Sequence, residues 1–486
     1  MLAGITAIVG AITAEAFRNR PLGWHFQLRG GKLLAAVISV FLMGFTGSVP
    51  AWAATIEVAL ARAYQNNPQL NAQRAQVRST DESVPQALSG YRPSVNVSAS
   101  AGYQYTDQDL GSQGRIRGAQ APRSVGLTAT QTLYNGNRTG NQTRAAESQV
   151  FGAREALRIL DQNVLLQAAS VYMDYLRDSA IVEVQKSNVR VLERTLQQVR
   201  DRRAVGDVTR TDVAQAEAQL AAGKTQESVA EANLIATRAN FRRIIGSEPR
   251  NLAPGSPVDR FLPRTVNAAI ELSLIENPNI TAAMYSIDVG YLQVKIAEGA
   301  LLPTVTLNAT VQQAYEQQLQ VSKIFTAAAV AQATVPLYQG GGEYALIRQS
   351  KENLAQQRLN LETTRDQARA NVVQAWGQLE ASKAQVSSAQ AQVAASETAL
   401  DGVREEARSG QRTTLDVLNA QQALVNARMA LVTAQRDRVV ASYSVLNAVG
   451  RLSPQVLGLA TTTYDPSVHY HQVRDSWAGL RTPDGR

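Results

Sequence analysis

Ser94-Val95-Asn96-Val97-Ser98-Ala99-Ser100-Ala101-Gly102-Tyr103-Gln104-Tyr105 puts an apolar or aromatic residue at every odd position and, Gly102 apart, a polar one at every even position. A period of two is the mark of a strand with one apolar and one polar face. The pattern recurs with Val305, Leu307, Ala309, Val311 and Tyr315. A Gly- and Gln-containing loop, 107–123, leads to a returning strand of Val125, Leu127 and Ala129 ending in Leu133-Tyr134. Its later counterpart carries Ala329, Ala331, Ala333, Val335 and Leu337-Tyr338. These runs span about 11–12 residues, the length a tilted transmembrane strand requires. One chain supplies four of them. An open sheet in lipid leaves edge groups unpaired at several kcal/mol each, and closed barrels start near eight strands, so two or more chains must share one. A soluble β-sandwich is the alternative, and it would need many more strands.

Working outward, the whole chain proves to be duplicated. Asn67-Pro68 returns as Asn277-Pro278 and Pro93 as Pro303, at an offset of 210. Tyr134 returns as Tyr338, Gly206 as Gly410, Asp212 as Asp416 and Gly246 as Gly450, at 204. Six residues are therefore lost between Pro303 and Tyr338, as a surface hairpin tolerates. Each half reads helix, strand, strand, long helix, short helix. The spans 55–90 and 265–300 are helical, with Asn-Pro near their starts. From 138 to 203 and from 343 to 408, apolar residues fall three and four apart, as in Leu157, Leu160, Val164, Ala168, Val171 and Tyr175, a coiled-coil-like spacing. At the helical rise the long helices reach roughly 100 Å, and each shorter one (55–90, 209–245) roughly 55 Å. Two short helices laid end to end match one long helix, which predicts a rod.

The N-terminus predicts export. Arg29-Gly30-Gly31-Lys32 precedes the apolar run Leu33 to Phe45, and Ala51-Trp52-Ala53 follows. Basic region, apolar core and small-x-small site together read as a signal peptide cleaved after Ala53. An uncleaved anchor is the alternative, Leu33 to Pro50 being barely long enough to span. The domains are then a signal peptide (1–53), a first repeat (54–253), a second (254–454) and a C-terminal tail (455–486). The 486 residues contain no cysteine, which excludes disulfides, thiolate metal sites, cysteine nucleophiles and a lipidated N-terminal cysteine. The formal charge is +8, of which the leader carries +3 (Arg18, Arg20, Arg29 and Lys32 against Glu15), leaving +5. Those charges are scattered among acids on helix faces, with no basic block and no interleaved aromatics, so nucleic acid is not a partner. His469 and His471 in the tail have no third ligand beside them, and the segment reads as irregular chain lying against the exterior.

At this point the residues resemble the TolC family of outer-membrane channels. The leader, the duplicated plan, Asn-Pro in each half and Pro336-Leu337-Tyr338-Gln339-Gly340-Gly341 carry the resemblance. So does Gly410-Gln411-Arg412-Thr413-Thr414-Leu415-Asp416 through Gln421. It spans about Thr55 to Pro454, and Thr132 replaces proline in the first half. The resemblance implies a mostly α fold with a membrane β-barrel portion: a homotrimeric α-helical tunnel continuous with a shared 12-stranded barrel in the Gram-negative outer membrane. It implies a passive exit duct for type I secretion or multidrug efflux. The implied partners are outer-membrane lipid, a periplasmic adaptor, and an inner-membrane ABC or proton-driven transporter. No cofactor is implied.

The turns at Gly206 and Gly410 then become periplasmic tips and adaptor contacts. Glycine suits the left-handed residue that ends a helix, and Thr209-x-x-Asp212 and Thr413-x-x-Asp416 read as acidic capping boxes. By resemblance, Arg412 and Asp416 close the aperture, with Thr211 and Asp212 as first-half partners of the arginine. Asn419 stands where some members carry an acidic ring, and Ala407 where some carry a tyrosine. Other classes fit less well. A periplasmic adaptor needs split lipoyl-like halves around one hairpin, and a structural coiled-coil protein leaves the alternating strands unexplained. An enzyme finds no phosphate loop, nucleophile motif or ligand cluster.

Overall fold

The computed structural model describes residues 54–486 apart from 110, 320, 484 and 486. The leader therefore lies outside the described residues. The first half comprises α1 (Ile56–Asn66), α2 (Pro68–Asp81), α3 (Ser83–Leu88), β1 (Ser94–Ala101), β2 (Gln104–Asp109), β3 (Arg115–Gln120), β4 (Arg123–Asn135), α4 (Arg138–Ala204) and α5 (Arg210–Ile245). The second comprises α6 (Val266–Glu276), α7 (Pro278–Gly299), β5 (Thr304–Gln318), β6 (Val321–Thr334), α8 (Gly342–Arg408) and α9 (Thr414–Val449), and α10 (Ser467–Val473) follows in the tail. None of the described helices is long and apolar enough to cross a membrane.

The expected single helices at the start of each half are broken at Asn-Pro. Asn67 and Asn277 leave helical geometry with ψ of 122° and 120°, because a residue before proline is pushed out of the α region. Each then caps the next helix. The Asn67 side chain accepts hydrogen bonds from the backbone N–H groups of Gln69 and Leu70, and Asn277 accepts from Asn279. In the first half Pro85 removes a further donor, and the helix stops again between Asp81 and Ser83,.

Both long helices are 67 residues. The tip-side half of α4 packs on α5 and its sheet-side half on α7 and α2, while α8 packs on α9, α6 and α7. The main core lies where the short helices end, at the midpoint of α4: Tyr172, Phe241, Ile244, Leu60, Leu446 and Leu452 are almost wholly buried. Tyr172 Oη lies 2.8 Å and 2.6 Å from the carbonyl oxygens of Ala54 and Ala253, which ties the start of the described chain to the linker between repeats. A second core of Ala269, Val372, Leu379, Val445 and Val449 sits at the midpoint of α8.

The sheet is antiparallel in the order β1-β4-β5-β6, so the two halves meet through β4 and β5. Register keeps the apolar residues opposite one another: Val97 faces Leu127, Leu127 faces Val311, and Val311 faces Ala327. One apolar face thus runs across all four strands and is open, with Val97 74% exposed. Three sequence expectations shift here. The loop after Tyr105 is itself a hairpin, β2 paired with β3, so β1 ends at Ala101. The strand β6 ends at Thr334, before Val335 and Leu337-Tyr338, because Pro336 has no N–H for a ladder,. Thr132 at the matching place lets β4 run on through a bulge to Asn135.

Candidate aperture at the helix tips

Each long helix ends in a left-handed glycine, Gly206 with φ 81° and Gly410 with φ 80°. The turn bonds are those of a Schellman ending. Gly206 N–H donates to Arg203 and Asp207 N–H to Arg202, and Gly410 N–H donates to Ala407 and Gln411 N–H to Glu406. A side chain at either glycine would meet nothing within 4 Å, so backbone conformation alone demands glycine there.

The capping boxes form in full. Asp212 N–H donates to Thr209 Oγ1 at 3.3 Å, while Asp212 Oδ2 accepts from Thr209 N at 2.8 Å and Oγ1 at 2.7 Å. Thr413 and Asp416 repeat this at 3.3, 3.0 and 2.9 Å. The hydroxyl and amide of Thr209 hold the Asp212 carboxyl below its usual range, and the amide and hydroxyl of Thr413 do the same for Asp416. Both aspartates stay ionised on an exposed hairpin end.

Arg412 donates from Nε to Glu406 Oε2 at 2.8 Å, a bond within its own turn. The first tip closes instead with Arg202 Nε donating to Asp207 Oδ2 at 2.6 Å. Within the chain Thr211 and Asp212 lie on the other hairpin, and Asp212 is engaged by Thr209. Sequence reasoning missed Glu406, which lies six residues before Arg412 across the turn. It also missed Gln421, buried between the hairpins, which donates to Asn188 Oδ1 at 3.4 Å and accepts from Arg404 at 3.2 Å. Asn419 is exposed one turn beyond Asp416. Between the hairpins opens a groove of about 580 Å³ lined by Arg194, Arg202, Arg404, Arg408, Val199 and Leu418. Among the described residues no acid or histidine cluster could hold a metal. His469 is not in irregular chain but in α10, with Nδ1 3.0 Å from Asp81 Oδ2.

Comparison with known proteins fits this geometry. The sequence profile of the family described as "Outer membrane efflux protein" matches the chain twice, over residues 59–247 and 269–451. The chain belongs to the outer membrane efflux protein family. The outer membrane efflux protein BepC of Brucella suis biovar 1 is 40% identical over 458 residues, covering 94% of this chain and 98% of its own. The outer membrane protein TolC of Vibrio cholerae is 27% identical over 449 residues, covering 87% and 96%. The solved structure of the outer membrane protein VceC from Vibrio cholerae shares the fold, with a TM-score of 0.69 at 20% identity over 81% of this chain and 96% of that one. The tandem match accounts for the internal repeat. As a family member the chain is an outer-membrane efflux or secretion channel, a transport protein and not an enzyme.

Proposed function

We propose that three copies assemble into one tunnel, their four-stranded sheets closing a 12-stranded barrel, with the helix tips forming a periplasmic aperture. The open edges of β1 and β6, together with the apolar face shared by all four strands, carry this reading. Edges in lipid must pair, and the copies of one chain supply each other's missing strand. The duct is passive. A periplasmic adaptor meets the tip turns at Gly206 and Gly410, and an inner-membrane ABC or proton-driven transporter supplies energy and cargo.

In this reading the tips of the second hairpin close the aperture. Arg412 and Asp416 face the neighbouring hairpin's Thr211 and Asp212, and Asn419 lines the opening with neutral amides. The Arg412–Glu406 pair competes with any contact Arg412 makes across hairpins. Arg412→Ser removes that contact, and because three copies act together even a small loss shifts the closed–open balance. Single-channel conductance in planar bilayers is expected to rise. Glu406→Gln frees Arg412 to engage across hairpins and is expected to leave conductance at or below the native value. If Arg412→Ser conducts like the native protein, Arg412 only shapes its turn and the constriction lies elsewhere.

A further inference from the structure

The C-terminal tail follows the first-half helices in step. Thr461 accepts a hydrogen bond from Gln65 at 2.8 Å, and the Arg74 guanidinium lies 5.3 Å from the Tyr464 ring. Next, His469 meets Asp81 at 3.0 Å, and Arg154 stacks between Phe151 and Tyr470 at 5.4 and 5.2 Å. Arg474 then donates to Glu147 at 3.3 Å. Last, Arg92 donates to the Ser476 carbonyl at 2.5 Å and lies over the Trp477 ring at 4.7 Å. Body positions 65, 74, 81 and 92 thus meet tail positions 461, 464, 469 and 477 in order. The tail is held to the body at each of these steps and reaches Arg92, two residues before β1 begins at Ser94.

That end is where the apolar sheet face stops. Each of the four sheet strands carries an exposed aromatic or leucine there: Tyr91 before β1, Tyr134 in β4, Leu302 before β5 and Tyr338 after β6. Aromatic residues in such a ring sit at the level of lipid headgroups. Trp477 is 72% exposed and Leu480 wholly so, although every earlier aromatic of the tail is packed on the body. An indole keeps its apolar ring in the acyl boundary and its N–H among headgroups, which makes it a preferred interfacial anchor.

We propose that Trp477–Leu480 is a phospholipid anchor, inserted at the periplasmic edge of the membrane-spanning sheet and held there by the strap from Thr461 to Ser476. Continuity with the apolar face of the sheet names the occupant as lipid. With no cysteine anywhere in the chain, this segment supplies an attachment at that level that no N-terminal acyl group provides. The proposal rests on the sheet being the membrane wall.

After Ala53 the chain holds two tryptophans, Trp376 and Trp477. Full-length mature protein carrying Trp376→Phe is reconstituted into phosphatidylcholine vesicles containing brominated phosphatidylcholine. Emission from Trp477 should fall roughly twofold or more with bromines high on the acyl chain and less with bromines near its end, as for an indole at the interface. If that variant does not fold, Trp477→Ala in the native chain should remove the lipid-quenched part of the emission. A fluorophore on Val97→Cys, unique in this cysteine-free chain, reports on the sheet in the same vesicles. Quenching of that label without quenching of Trp477 overturns the anchor and leaves the barrel standing, whether acrylamide then reaches Trp477 from water or not. Loss of both signals overturns the membrane wall and the anchor with it.

Discussion

At the scale of residues, Asp161 on α4 is a strongly perturbed group. Burial raises its carboxyl to about 7, only partly offset by Arg74 on α2 and by Arg158 on its own helix. Its Oδ1 has no hydrogen-bond partner within the protein. A folded value above the unfolded one near 4 means the folded protein binds this proton more tightly. The protonated group contributes its full stability below about pH 4, and that contribution is lost as pH rises through 7. Asp161→Asn removes the dependence. Its melting temperature should match the native protein near pH 4 and exceed it at pH 8, by on the order of 1 kcal/mol or more in stability; parallel curves from pH 4 to 8 would show that the carboxylate is solvated. At Gly450, as at Gly136, space and conformation both require glycine. The φ of Gly450 is 91°, and a Cβ would come 2.7 Å from Asn277 Cα and 2.9 Å from the Glu276 carbonyl. Gly410, with the same backbone but open surroundings, isolates the conformational cost. Gly410→Ala should therefore cost about 1–2 kcal/mol, and Gly450→Ala should cost more or prevent assembly, both read as melting shifts in detergent.

At the scale of elements, the duplicated Asn-Pro joins acquire a tertiary task. Asn67 donates to the Ile244 carbonyl at 3.5 Å, and Asn277 donates to the Ala448 carbonyl at 3.0 Å. Each acceptor sits two residues before the left-handed glycine that ends α5 or α9, so each asparagine pins a helix joint to a helix end. One side chain thus caps one helix and satisfies the C-terminus of another, which has spare carbonyls. Asn277→Ala loses both roles and is expected to destabilise by about 1–2 kcal/mol, a cap loss plus one of the two hydrogen bonds to the Ala448 carbonyl, which Ser273 Oγ also reaches at 3.2 Å,. Asn277→Asp restores the cap but not the donor and should recover only part. Equal melting temperatures for the Asp and Ala variants would show the cap to be idle. The strap of α10 belongs to this scale as well, because a helix of 7 residues has too few internal hydrogen bonds to persist without its packing.

At the scale of the whole molecule, the proposed assembly sets the open apolar face in the membrane and pairs the sheet edges with further copies. Mass measurement in detergent should return three times the mature mass. A stable monomer with intact strands would rule out the shared barrel. Sequencing of the protein from outer membranes should begin at or near Ala54. Ala54 N–H donates to the Asn251 carbonyl at 2.9 Å and Ala253 N–H to the Ala54 carbonyl at 3.1 Å, so the chain is anchored on the linker between repeats from Ala54 onward. Retention of Met1 would instead leave the leader as an anchor.

Much of this was legible in one dimension, because the rules that act over a few residues are written in the order of side chains. Alternation set the faces of β1, β4, β5 and β6, and three-four spacing set the lengths of α4 and α8. The offsets of 210 and 204 exposed the duplication, and Thr209-x-x-Asp212 and Thr413-x-x-Asp416 announced their own caps. What stayed hidden was partner choice across long separations. Packing alone decided that Asn277 would reach Ala448 and that His469 would meet Asp81, 388 positions away. Local chemistry determines which groups need a partner. Which partner is near enough depends on how helices stack and where the chain returns, and only the folded protein settles that.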